Sequence, residues 1–330
     1  MKFIRNLFLL CLCLVFFTGC GGKDGSDVLK KFSKKIDDLN SYHLSGVLEI
    51  YNNENTYLYD VDVAFLKENF FRVSLKNKTN NHEQIILRNT DGVFVATPSL
   101  NKSFKFQSEW PYNNSQSYLL HSILSDIRND SEKLFESVDD GYLVFVKSNY
   151  SNNKDLVKEK IFIDKDMNIK VVEVLDSSDI VKMKMVFDTI DYNCDFNEDY
   201  FKLESNMSVF SESDVFKSEL GDILYPMYIP QNTYLSGQSK VSIENGERVI
   251  MTFSGDYPFM IIEETVNHVD DSLISVSGEP FQLIDTVGII DDSSIMWIND
   301  GIEYYLVSNS LDREQLVDVA NSMTIAAIVK

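Results

Sequence analysis

Thiols and imidazoles are the side chains best suited to chemistry at neutral pH, and both are scarce: four cysteines and four histidines in 330 residues. His43, His82, His121 and His268 nowhere stand three or four residues apart, and no cysteine pair accompanies them, so metal-site spacing is absent. There is no phosphate-cradling Gly-rich loop with a lysine and no Gly-x-Ser-x-Gly elbow. Carboxylate pairs such as Asp60 and Asp62 are plentiful, but among 51 acids they arise by chance and mark a solvated face. A hydrolase using two distant carboxylates is the enzymatic alternative they leave open. The leading expectation is a chain that is not an enzyme and uses no cofactor. One thiol stands apart: Cys20 follows the apolar run 7–17 and the small residues Thr18 and Gly19, with Lys2 and Arg5 ahead of the run. That run is shorter than the roughly 18 residues of a membrane span and fits the centre of a secretory signal.

Phe17-Thr18-Gly19-Cys20 resembles the lipobox of bacterial lipoproteins, with Phe17 where a branched aliphatic is usual. Small residues let the backbone enter a peptidase groove, and the thiol is the group to be acylated. The resemblance implies removal of residues 1–19 and fatty acyl chains of the palmitate type on Cys20, more than one being needed for a stable anchor. The chain's formal charge is -21. Lys2 and Arg5 leave with the signal while every acid follows Cys20, so the mature chain is more acidic still. Such a charge repels nucleic acid and anionic lipid, which leaves the lipid as the route to the membrane. Only Cys194 remains after Cys20, so no intramolecular disulfide is available; its alternating surroundings predict a small strand residue.

These groups need a scaffold. A Gly-rich tether covers 20–26. Then Val28, Leu29, Phe32, Ile36 and Leu39 fall on one helical stripe, with Ser26 as the expected N-cap. Period-two runs follow. Leu44, Gly46, Leu48 and Ile50 share a face, as do Tyr57, Tyr59, Val61, Val63 and Phe65, and then Phe71, Val73 and Leu75. Asp91-Gly92 predicts a hairpin turn. The pattern is an antiparallel meander with one buried face, interrupted by a mixed helical stripe that includes Tyr118, Ile123, Asp126 and Ile127. A polar stretch places a boundary near Ser211, and short strands then lead to a final helix that Ser310 can cap. The expected division is signal 1–19, lipidated tether 20–26, a first domain 27–210 and an α+β domain 211–330. Aromatics recur on the inward faces. A concave sheet only partly covered by helices would hold an acyl chain or an apolar peptide. The candidate lining is Leu48, Val61, Val63, Phe71, Val73, Phe94 and Trp110, the last in a turn before Pro111.

At "FFRVSLKN" and "QIILRNTDGVFVATPSLNKSFKFQSEWPYNNSQSYLL", and in its helix-then-meander order, the chain resembles the LolA-like lipoprotein carrier fold. It is most similar to the lipid-anchored version in spore-forming Gram-positive bacteria, the sporulation or germination lipoproteins. "YIPQNTYL", "FSGDYPFMIIEE" and "MWINDGIEYYLVSNSLDREQLVDVANSM" resemble a small domain of unassigned function that follows LolA-like domains. The resemblance implies an α+β fold: a strongly curved, unclosed antiparallel barrel with helices across its mouth, followed by a smaller α+β domain. It implies a cavity for acyl chains and makes Arg72 a candidate lid latch, an ordinary outward strand arginine being the other reading. Tethering by Cys20 to the outer face of the cytoplasmic membrane argues against shuttling. The expected function is binding of an apolar ligand or an envelope protein in sporulation or germination. A pure scaffold for a cell-wall enzyme and an envelope-polymer hydrolase are the alternatives.

Overall fold

A computed structural model describes residues 25–52, 55–150, 153–207, 219–243, 246–266 and 273–325. Cys20, the signal and the expected boundary at Ser211 lie outside the described residues. The first stripe folds as helix α1 (Gly25–Asp37), burying Val28, Phe32 and Ile36. Gly25 and Ser26, expected in the tether and at the cap, belong to the helix instead. The helix begins hard against an aromatic ring: a Cβ on Gly25 would sit 2.7 Å from the Phe135 ring, an approach only glycine allows. Lys35 ties the far end down. Its ammonium donates to Asn168 Oδ1 at 2.7 Å and the Met167 carbonyl at 3.2 Å, and lies 4.1 Å from the Tyr192 ring centre.

The meander is built from β1 (Ser41–Asn52), β2 (Asn55–Leu66), β3 (Phe70–Asn77), β4 (Glu83–Asn89), β5 (Gly92–Thr97) and β6 (Lys102–Phe106). Helix α2 (Leu120–Asn129) interrupts it, and it resumes with β7 (Leu134–Val138), β8 (Gly141–Lys147), β9 (Lys158–Asp164), β10 (Ile169–Leu175) and β11 (Val181–Asp191). Antiparallel pairing of β1 with both β2 and β11 joins the halves. The β4–β5 turn closes at the Asn89–Gly92 pair, where Gly92 takes φ +138°, a conformation that favours glycine. Cys194 lies in the loop beyond β11, not in a strand; Asp191 ends the strand by accepting from the Asn193 backbone N–H at 3.0 Å.

After the short α3 (Leu203–Met207) come β12 (Leu224–Pro226), β13 (Thr233–Ile243), β14 (Gly246–Gly255), β15 (Phe259–Thr265), β16 (Ile274–Val276), β17 (Glu279–Gln282), β18 (Val287–Ile290), β19 (Ser294–Asn299), β20 (Ile302–Val307), α4 (Arg313–Asn321) and β21 (Met323–Ile325). β16 pairs parallel with β6, completing a 12-stranded sheet that runs from β16 to β7 without closing. The other long strands form a seven-stranded antiparallel sheet in the order β13-β14-β15-β20-β19-β18-β17. Helix α4 is capped by Asp312, not Ser310: Asp312 and Gln315 form a reciprocal capping box. Ser310 donates its own N–H to Ser308 Oγ at 2.9 Å and so belongs to the preceding turn.

The open sheet wraps one apolar cluster. Side chains from α1 and α2 enter it, and so do Val287, Ile289 and Ile298 of the second sheet. The concave face is therefore covered in two parts, by helices over one region and by the edge of the second sheet over another. The second junction is polar and buried. Gln84 Oε1 accepts from the Val287 N–H at 2.6 Å, and Gln84 Nε2 donates to the Val287 carbonyl at 2.9 Å, as a strand neighbour would. Tyr59 adds a hydrogen bond to the Ile284 carbonyl at 3.2 Å.

Candidate ligand cavity

Where the helices and the second sheet fail to meet over the concave face, a cavity of about 640 Å³ remains. That volume falls within the usual ~300–1,000 Å³ of ligand sites. One wall is the β1–β2 hairpin end, with Ile50, Tyr51, Asn52, Asn55 and Tyr57. Loops 114–118 and 153–156 form a second wall, the segment 280–284 a third, and the end of α4 a fourth. Hydrogen bonds set these walls. The Asn149 N–H donates to Ser115 Oγ at 2.6 Å, Tyr118 OH donates to Gln116 Oε1 at 2.7 Å, and the Ile284 N–H donates to Asn321 Oδ1 at 3.2 Å.

Of the seven residues expected to line a pocket, Trp110 alone reaches the cavity, and it is only 1% exposed. Leu48, Val61, Val63, Phe71 and Val73 lie in the filled interior, none more than 2% exposed. Phe94 is a correction. It alternates with Val93 and Val95, so when they point inward it points outward, into a separate cluster with Ile85, Leu87 and Ala96 that Leu203 and Met207 cover. The interior is closed by α1, α2, Trp110 and the second sheet's edge, so acyl-carrier space within the sheet is taken by the chain's own side chains. Val63 sits between Leu44 and Val73 in register. Val63→Phe is expected to lower stability by about 1–3 kcal/mol through overpacking. An unaltered melting temperature would mean that space exists there.

Arg72 also faces outward. Its Nε donates to Asn206 Oδ1 at 2.7 Å and its Nη1 to Asp62 Oδ1 at 3.0 Å, while His43 Nε2 lies 2.6 Å from Asp62 Oδ2. The arginine therefore bonds to the 198–207 segment on the convex face, not to the helices over the mouth. His121 is a core ring, 4.4 Å from the Phe65 ring centre, and burial pushes it down to about 4. No cluster able to hold a metal occurs among the described residues.

Two acids lie buried, Asp126 on the expected helical stripe and Glu159 at a position that the sequence analysis did not single out. Glu159 on β9 is wholly buried and Asp126 on α2 is 8% exposed. Burial pushes both carboxyls up; the Asp126 charge pushes Glu159 further, while hydrogen bonds from Tyr150 to Glu159 and from Ser115 to Asp126 oppose the rise. Tyr150 and Ser115 line the cavity and the acids lie behind them, so neither acid is among the groups facing a ligand. The two carboxyls come close where the lid helix packs on the sheet. On the rim, Asp155 and Asp318 outnumber Lys182, which pairs with Asp176 at 3.3 Å.

An open, largely antiparallel sheet with lid helices, its mouth completed by a smaller α+β portion, is the fold class expected from the sequence. The chain is 35% identical to sporulation protein YdcC of Bacillus subtilis (strain 168) over 333 aligned positions, covering 98% of each chain. It belongs to that family. No family profile matches the sequence. Among solved structures, the Pseudomonas aeruginosa MucA/MucB complex aligns over 92% of this chain and 99% of that one at 12% identity and a TM-score of 0.33. The LolA superfamily protein NE2245 of Nitrosomonas europaea aligns over 56% of this chain and 99% of that one at 11% identity, also with a TM-score of 0.33. Both likenesses are partial. No helix among the described residues is long and apolar enough to cross a membrane.

Proposed function

We propose that this protein is a lipid-anchored binding protein on the outer face of the cytoplasmic membrane, acting in sporulation or germination and holding its ligand in the cavity between the two sheets. The family supports the sporulation setting, and the short apolar run ending at Cys20 supports the anchor. The observation that carries the binding reading is the cavity itself, ligand-sized and walled from both halves of the chain. Its walls mix Ile50, Leu283 and Val287 with the amides of Asn52, Asn55 and Gln116. A pure acyl chain suits the first set, at about 0.8 kcal/mol per methylene buried. It would strand the second, at roughly 1–3 kcal/mol for each amide desolvated without a partner. A ligand with both apolar and polar surface fits better. Replacing Thr324, an exposed residue on the cavity wall, by Trp tests this. The variant is expected to keep its melting temperature and lose ligand recovered by mass spectrometry from the wild-type chain. Retention of the same ligand would refute the assignment.

A scaffold role is the second reading. It is favoured by β13, an edge strand exposed along nearly its whole length and carrying Tyr234 at 63% exposure. Both readings require the anchor. Cys20→Ala is expected to leave an unprocessed precursor that takes up no labelled palmitate, and a cleaved, acylated product would show another attachment site.

A further inference from the structure

We infer that the cavity takes a neutral saccharide segment; this rests on its being a ligand site, as proposed above. The amides of Asn52 and Asn55 carry donor and acceptor atoms side by side, the arrangement that pairs with neighbouring ring hydroxyls or an acetamido group, and Gln116 adds its Nε2 donor, its Oε1 already accepting from Tyr118. Two tyrosines join them in the lining: Tyr57, half-buried, on the hairpin wall, and Tyr228, 39% exposed, just beyond β12. A sugar ring has apolar C–H faces and a polar edge. It can lie against tyrosine and satisfy amides at once, whereas an acyl chain serves only the apolar half of the lining. Charge narrows the class. Asp155 and Asp318 face the cavity, and its lysine, Lys182, is engaged by Asp176. Phosphorylated or carboxylated polymers are repelled from such a rim, which leaves an uncharged saccharide.

Calorimetric titration of the mature chain tests this with three probes: a β-1,4-linked N-acetylglucosamine tetramer, sodium dodecanoate and tetra-alanine. The tetramer is expected to bind, with its dissociation constant raised about tenfold or more by Tyr57→Ala. Asn55→Ala, at an exposed position, is expected to weaken binding with the melting temperature unchanged, which guards against misfolding of the tyrosine variant. Tetramer binding unaffected by either substitution would overturn the placement. Binding of dodecanoate or tetra-alanine without the tetramer would overturn the saccharide and leave the cavity as a ligand site. Failure of all three would overturn both.

Discussion

Gln84→Ala is expected to cost about 3 kcal/mol of stability and to loosen the second sheet from the first. Gln84 is 4% exposed and exchanges two hydrogen bonds with the backbone of Val287, at 2.6 and 2.9 Å. Thr286 Oγ1 lies 2.9 Å from Gln84 Oε1 and 2.8 Å from the Ile298 carbonyl, so its single proton can serve either. Alanine leaves a buried N–H and a buried carbonyl without partners, at about 1–3 kcal/mol each. Nearby, Lys102 pairs with Glu303 at 3.4 Å, both nearly buried, but that contact cannot supply the missing donor and acceptor. Gln84→Glu keeps the acceptor and, while its carboxyl is protonated, a donor; ionised, it buries an unpaired charge, so its loss of stability should grow as pH rises. Urea unfolding measures both. A loss below about 1 kcal/mol for the alanine variant would mean that the junction is not held by Gln84.

Stability is expected to fall as pH rises from the carboxylate range through neutrality, and Glu159→Gln is expected to reduce that fall. Both Glu159 and Asp126 have their pKa raised in the folded chain, chiefly by burial. A group raised on folding binds its proton more tightly in the native state. Its contribution is complete below the unfolded value, near pH 4, and is lost as pH climbs through the folded value. Glutamine cannot ionise but can still accept from Tyr150, which bonds Glu159 at 3.3 Å. At pH 8 the variant should exceed the wild type by about 2 kcal/mol, since each tenfold gain in proton affinity on folding is worth about 1.4 kcal/mol. At pH 4 the two should nearly coincide. Parallel stability curves for the two proteins would contradict the assignment.

Glu159 also shows how much of this was legible. In "KEKIFID" it alternates in phase with Ile161 and Ile163, and all three are buried. Gln84 is likewise in phase with Ile86, and Asp126 lies on the apolar side of α2 with Ile123 and Ile127. A polar residue in an apolar phase was the available signal for both the junction and the acid pair. Period two and the α1 stripe were enough for the meander and its lid, because strand and helix periodicity are local. They were not enough for Phe94 or Arg72. The β4 and β5 runs are apolar on both faces, and nothing local says that 198–207 will cover the outer one. The cavity was hidden for the same reason: its walls come from segments as far apart as Ile50 and Thr324, and only docking of the second sheet encloses it.

Methyl NMR of the mature chain, titrated with whichever of the saccharide, fatty acid and peptide probes binds, tests the central claim most directly. The claim is a filled sheet interior and a ligand held between the sheets. Ile50, Ile86, Leu283 and Val287 line the cavity, and Leu48, Val61, Val63 and Val73 fill the interior. Shifts are expected to grow with added ligand in the first group while the second stays fixed. Shifts concentrated in the second group would place the ligand inside the sheet and contradict the claim.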